Sequence, residues 1–256
     1  MARVHIGTSG WHYNHWRGPF YPEKLPAPKM LEFYFARFDT VELNNSFYKL
    51  PSVETFANWR QATPPGFCFA VKASRFLTHN KKLKDPRGAL QNFLPRAEAL
   101  QEKLGPVLFQ LPPRWRVNLE RLQEFLAALP HSHRYAFEFR EPSWNIPEVY
   151  DALRRHNAAY CIFELDCFTS PMEITADFTY VRLHGPGGRY QGCYSQATLG
   201  EWAARIAAWS KLRDIYVYFD NDQAGYAAGN ALELKSLVMR QRLNLNDIEE
   251  KQRGAA

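Results

Sequence analysis

Eight short apolar runs recur along the chain, spaced so that a helical pattern fits between most of them. They are Val4–Gly7, Thr40–Asn44, Phe67–Lys72, Val107–Gln110, Tyr135–Arg140, Ala159–Phe163, Tyr180–His184 and Ile215–Asp220. Apolar residues recur at helical spacing near Lys29–Arg37, Val53–Gln61, Leu90–Leu104, Leu119–Leu129, Pro147–Arg155, Leu199–Trp209 and Ala228–Arg240. Strand and helix in alternation mark βαβ units and a parallel sheet, and eight such units favour a closed barrel over an open sheet. The expected fold is therefore α/β, a single (β/α)8 TIM barrel over residues 1–243 with a polar C-terminal tail over 244–256. The stretch Glu164 to Thr179 contains Ser170-Pro171 and lacks a 3.6-residue apolar period, so the helix after the sixth strand is expected to be short or missing.

Parity within these strands carries the functional information. In a barrel, alternate side chains face the helices and the lumen. One parity class is apolar: Val4, Ile6, Val41, Leu43, Phe67, Phe69, Val71, Val107, Phe109, Phe137, Phe139, Val181, Leu183, Ile215, Val217 and Phe219. The other holds His5, Ser9, Thr40, Glu42, Asn44, Lys72, Gln110, Glu138, Arg140, Arg182, His184, Tyr216, Tyr218 and Asp220. Most of its ionisable members stand at the C-terminal ends of strands, where enzymes of this architecture place their chemistry. Burying them costs several kcal/mol per ion unless they are paired, so an organised network is expected. A satisfied network that merely fills the barrel competes with a functional reading.

Glu42 and Glu138 are candidates for acid and base work and His184 for moving a proton, while Lys72, Arg140 and Arg182 suit an anion. Only His5 and His184 among the histidines share the lumen parity, without the spacing of a metal-binding cluster, so a site free of metal and cofactor is expected. Ser9, Asn44, Gln110 and Asp220 complete the polar set, and Cys68 is read as a small filler beneath Lys72.

Charge and aromatic residues gather in the loops that follow the strands. The chain carries 32 basic and 26 acidic residues, a net +6. The segment from Lys72 to Arg87 accounts for most of it, with Lys72, Arg75, Lys81, Lys82, Lys84 and Arg87 opposed only by Asp85. Trp11, Tyr48 and Trp144 stand among many aromatic residues on that side, some to wedge loops together and some to stack on a ligand. Gly185-Pro186-Gly187-Gly188-Arg189 is a glycine-rich turn with backbone amides suited to a phosphate.

Several classes are excluded by what these patterns leave out. No run approaches the roughly 18 apolar residues of a membrane span. The first residues pass straight into a strand without the pattern of a secretory signal, and Cys68, Cys161, Cys167 and Cys193 form no Cys-x-x-Cys pair, so a cytoplasmic protein with reduced thiols is expected.

Ordered blocks make the sequence recognisable. Gly7-Thr8-Ser9-Gly10-Trp11, Glu42-Leu43-Asn44-Asn45-Ser46-Phe47-Tyr48, Phe69-Ala70-Val71-Lys72-Ala73-Ser74, Gly105-Pro106-Val107-Leu108-Phe109-Gln110-Leu111-Pro112, Glu138-Phe139-Arg140 with Ser143-Trp144, and Tyr180-Val181-Arg182-Leu183-His184-Gly185 resemble the YecE-like family of unknown function. The resemblance spans about Val4 to Met239 and implies a TIM barrel grouped loosely with the endonuclease IV and xylose isomerase barrels. The endonuclease comparison implies phosphodiester chemistry, although this chain lacks a matching set of histidine and carboxylate ligands. Members typically carry Asn-Asn after the last strand. Here Asp220-Asn221 stands, which adds a negative charge at the mouth and makes Asn221 a further candidate.

The leading expectation is metal-independent binding of a phosphate-bearing ligand, a nucleotide or nucleic acid, with hydrolytic or transfer chemistry open. A carbohydrate-active hydrolase or isomerase using the paired glutamates, and a non-catalytic binding protein, are the alternatives. The sequence leaves the oligomeric state open and gives no sign of a membrane partner.

Overall fold

A computed structural model of the chain describes residues 2–166 and 168–253. Cys167 and the last three residues of the expected polar tail lie outside them. The strands are β1 (Arg3–Thr8), β2 (Thr40–Leu43), β3 (Cys68–Lys72), β4 (Leu104–Gln110), β5 (Tyr135–Glu138), β6 (Ala159–Leu165), β7 (Phe168–Thr169), β8 (Phe178–Leu183) and β9 (Asp214–Phe219). All except β7 pair in parallel, in the order β1-β9-β8-β6-β5-β4-β3-β2. The ring is closed by one parallel bridge, Ser9 to Glu42. Gly7 stands at that seam because a Cβ there would sit 2.4 Å from the Thr40 carbonyl oxygen. The protein is an α/β chain folded as a nearly closed eight-stranded TIM barrel.

The α-helices are α1 (Met30–Phe35), α2 (Asn45–Tyr48), α3 (Val53–Ala62), α4 (Pro86–Ala97), α5 (Leu119–Ala127), α6 (Pro147–Arg155), α7 (Gln196–Ala208) and α8 (Tyr226–Arg253). Ser52, Asn118 and Ser195 start α3, α5 and α7 by accepting a backbone N–H three residues on, which satisfies donors that a helix leaves free. The fourth helical region is shorter than its apolar pattern implies. It ends at Ala97, continues as a 3-10 segment through Lys103, and turns at Gln101 with φ +48°. β4 then begins at Leu104, earlier than expected, and its register against β3 shifts between Phe69 and Val71. Pro106 has no N–H to offer the ladder there.

Between β6 and β8 no helix forms among the described residues, as the proline and the missing apolar period predict. β7 folds back antiparallel on β6, and the chain then runs extended to β8. Two hydroxyls hold this segment. Ser170 Oγ accepts the Phe163 N–H at 2.8 Å, while Thr175 Oγ1 accepts the Tyr160 N–H and donates to the Ala158 carbonyl, both at 2.7 Å.

The sheet separates two apolar clusters. The outer one contains Ile6, Val41, Leu43, Phe69, Val71, Val107, Phe109, Phe137, Val181, Leu183, Val217 and Phe219 with the helices. The inner one joins small residues of β3 to β6 (Ala70, Leu108, Ala136, Ala159, Cys161) to large ones of β8 and β9 (Phe178, Tyr180, Tyr216, Tyr218). Small facing large fills a closed lumen without voids. Below this layer, the Arg134 guanidinium lies 2.7 Å from Asp214, and the His5 ring stacks on Tyr216 at 4.7 Å. Above it lie the ionic side chains.

Candidate functional site at the C-terminal mouth of the barrel

Arg182, from the end of β8, is the hub of that upper layer and has no exposed surface. Its Nε donates to Glu42 Oε2 at 2.9 Å, its Nη2 to Glu42 Oε1 at 2.8 Å and to Asp220 Oδ2 at 3.1 Å, and its Nη1 to Glu138 Oε2 at 2.7 Å. A planar fork of donors on a permanent charge is the group that can serve three carboxylates at once. Glu42 also accepts from Ser9 Oγ at 2.7 Å and from the Tyr180 hydroxyl at 2.6 Å. The seam of the barrel and the ionic hub are therefore tied together by one side chain.

Glu138, at the end of β5, is equally enclosed and is also bonded by Arg140 Nε. Burial by itself would raise its carboxyl, but Arg140 and Arg182, with His184 and Lys72 beyond them, outweigh burial and hold it well below the usual carboxylate range. His184 points Nδ1 toward Asp220 Oδ2 at 3.1 Å, poorly aligned for a hydrogen bond, and Nε2 toward Arg182 and Arg140 at 3.2 and 3.4 Å. Burial, reinforced by Arg182, lowers its pKa, so the imidazole is neutral and receives rather than gives the guanidinium protons. Asp220 remains ionised, because its contacts with His184 and Arg182 overcome burial.

Above this hub the pairing ends. Lys72, the last residue of β3, is 8% exposed, yet its ammonium has no carboxylate within 4.0 Å among the described residues. It rests instead over the Phe47 ring at 4.5 Å. Burial and the Arg182 charge lower its pKa to about 8, against the pull of Glu138, Glu42 and Asp220. His79 borders the same space. Its ring packs edge-on to Phe47 at 5.0 Å, and burial followed by the charges of Lys72, Arg75 and Arg140 lowers its pKa to about 4. Tyr190, at φ +62°, lays its ring across His184 at 5.3 Å with its hydroxyl 3.4 Å from Arg140 Nη1. The rim is thus a set of cations and hydrogen-bond donors above a hub in which three carboxylates face two guanidiniums.

The structure brings together Ser9, Glu42, Lys72, Glu138, Arg140, Arg182, His184 and Asp220. Gln110 is buried near the same end and donates to the Leu111 carbonyl at 3.3 Å. Other candidates stand apart. Trp11 and Asn44 line a neighbouring groove of about 490 Å³ with Tyr13, Leu31 and Trp59. Tyr48 is 81% exposed on α2 and points away. Trp144 is buried, stacked on Phe139 at 4.9 Å and bonded to the Trp115 carbonyl, so it wedges loops. Asn221 is buried too and donates to Gly192 and Asn230, tying the β8–α7 loop to α8.

The glycine-rich turn does not present the expected cradle. The Gly185 and Gly187 amides are spent on the Tyr194 hydroxyl and the Gln191 carbonyl. The acid and base roles expected for Glu42 and Glu138 also fit poorly, since both lie beneath the rim with their oxygens taken up by Arg182 and its neighbours. Sequence reasoning missed His79 and Tyr180, while Tyr190 was expected among the aromatic residues of this face. Tyr180 shared the lumen parity and was legible, whereas His79 sits on a loop, where no periodicity points it inward. No group of three or more His, Cys, Asp or Glu side chains among the described residues is disposed to hold a metal. Nor is any described helix long and apolar enough to cross a membrane.

Comparison with known proteins agrees with this architecture. A solved DUF72 family protein from Thermotoga maritima superimposes with a TM-score of 0.85 at 32% identity, covering 93% of this chain and 99% of that one. An Enterococcus faecalis member, at 18% identity and a TM-score of 0.77 over 92% of this chain and 95% of its own, shares the fold. The UPF0759 protein YunF of Bacillus subtilis is 27% identical over 92% of this chain and 94% of its own length. The UPF0759 protein YecE of Escherichia coli is 30% identical over 55% of this chain and 50% of its own. The family described as "Protein of unknown function DUF72" matches residues 5–254, nearly the whole barrel with its seam and ionic hub, and this chain belongs to it.

Proposed function

We propose that the mouth of this barrel binds a small phosphate-bearing ligand without the help of a metal. The observation that carries this reading is the Lys72 ammonium, buried at the mouth with no carboxylate within 4.0 Å among the described residues, while its charge and those of Arg75 and Arg140 converge on His79. An unpaired buried cation is costly, and an anion arriving there gains a partner that is desolvated beforehand. Arg140, 12% exposed at its side chain, also borders a cavity of about 260 Å³ with Phe139, Phe163 and Arg189, which leaves room for the rest of a ligand.

In this reading Glu42, Glu138 and Asp220 act indirectly. They hold and orient Arg182 and Arg140, so that the cations presented to a ligand at the rim are Lys72 and the outer edge of Arg140. The glycosidase alternative loses its support, because the two glutamates are joined through one guanidinium and neither is free to protonate a leaving group.

Calorimetric titration with inorganic phosphate, a nucleoside monophosphate and single-stranded DNA tests the proposal. Binding of phosphate or the nucleotide is expected, weakened about tenfold or more in Lys72→Met and in Arg140→Met, in line with loss of a charge-assisted contact. Equal binding in both variants, or none in the native protein, overturns it. Binding of DNA alone with a steep salt dependence would move the ligand to the exposed loop cations instead.

A further inference from the structure

We infer that Lys72 is a nucleophile, and that the ligand of this mouth carries an aldehyde or ketone which the Lys72 amine captures as an imine while the rim holds its phosphate. The inference rests on the anion-binding reading for where the phosphate lies, and adds the reacting group.

Three observations point to an amine kept for chemistry. Lys72 is the last residue of β3, so its backbone is held by the barrel, and its carbonyl is pinned by the Ser46 hydroxyl at 2.6 Å. Its side chain is buried against Phe47 and within the field of the Arg182 guanidinium, the two surroundings that bring an amine's pKa down toward neutrality and raise the share of free amine. Finally, Glu42, Glu138 and Asp220 all lie within electrostatic range, yet each is bonded to Arg182 and none closes on Lys72. A lysine present only to neutralise charge would be expected to pair with one of them.

The chemistry balances without a further reagent. The unprotonated Nζ adds to the carbonyl carbon, forming a C–N bond and a carbinolamine. The carbonyl oxygen then departs as water, taking with it the two hydrogens of the amine, and a C=N bond remains. The charged groups that act on Lys72 are Arg182, Glu138 and Glu42 from the strands and Asp220 just past β9, and Lys72 in turn acts on His79 of the following loop. An imine that becomes protonated there lies among carboxylates that stabilise its charge.

Incubation of the native protein with glyceraldehyde 3-phosphate and cyanoborohydride, followed by peptide mass mapping, tests this. The reduced adduct is expected on Lys72 at least tenfold faster than on the exposed Lys82 and Lys84, with inorganic phosphate slowing it. Lys72→Arg should abolish that adduct while still binding inorganic phosphate. Labelling of Lys72 no faster than of Lys82 and Lys84 overturns the inference in the native protein, whatever the variant does. Phosphate binding retained alongside such a result would leave the anion site standing without its nucleophile. Fast labelling of Lys72 that phosphate does not slow would overturn the phosphate-bearing substrate while keeping the amine.

Discussion

At the scale of single residues, the mouth is a compromise between charges that are satisfied and one that is not. Glu138 has a folded pKa far below its ordinary 4.5, so its contribution is present above that value and is lost as pH falls toward the folded pKa. Glu138→Gln should therefore lower stability at neutral pH and flatten the acid limb below about pH 4.5, as read by urea unfolding at a series of pH values. An acid limb as steep as that of the native protein would show that this carboxylate is not held by its guanidinium neighbours. Lys72 works in the opposite direction. Its pKa falls from 10.5 to about 8, so its charge opposes folding below pH 8, and this cost is relieved as pH rises toward 10.5. Lys72→Met should stabilise the protein at pH 7, by roughly 1–3 kcal/mol, with the gain shrinking above pH 8. A loss of stability instead would mean that Lys72 has a structural partner. Residues retained at such a cost are those that function requires.

At the scale of elements, the seam between β1 and β2 is the vulnerable joint. Other neighbouring pairs of the eight-stranded ring share runs of register, whereas these two meet through the Ser9–Glu42 bridge and the close approach at Gly7. Gly7→Ala places a methyl group 2.4 Å from a backbone oxygen that cannot rotate away. It should cost about 1–3 kcal/mol in chemical denaturation and shift the Glu42 carboxylate away from Arg182, which an altered acid limb would register. An unchanged midpoint would mean that the seam opens freely. The loop from Ala73 to Asp85 is another irregular element, with a π-helical turn at Phe76–Asn80 and positive φ at Lys82, Leu83 and Asp85. Non-glycine residues in that region store strain. The same loop carries His79 to the rim and leaves Arg75, Lys82 and Lys84 in solvent, so an irregular backbone here serves to place one ring inward and several charges outward.

At the scale of the whole molecule, the barrel is held by two clusters with a sheet between them, and α8 joins the outer one through Ala227, Ala228, Ala231, Leu234 and Val238. These anchors all precede Met239. Leu234→Ala should lower the thermal midpoint by several degrees, about 2–5 kcal/mol for a large-to-small change in a packed core, and an unchanged midpoint in scanning calorimetry would refute the packing of α8 on the barrel. The barrel, the missing sixth helix and the polar lumen were legible in the sequence. Strand period and proline placement are local properties, and a side chain's face follows from its parity once the ring closes. The pairing within the lumen was not legible. Glu42, Glu138 and Asp220 lie far apart along the chain, and nothing local says that one guanidinium takes all of them and leaves Lys72 alone. Equally hidden was the direction of loop residues such as His79, Trp144 and Asn221, which is set by packing and not by any repeat. The sequence by itself determined which residues enter the barrel and at which end, because alternation is built into the strand. Only the tertiary structure decided which charges cancel and which one stays unpaired, because charge pairing depends on distances across the lumen that no spacing along the chain encodes.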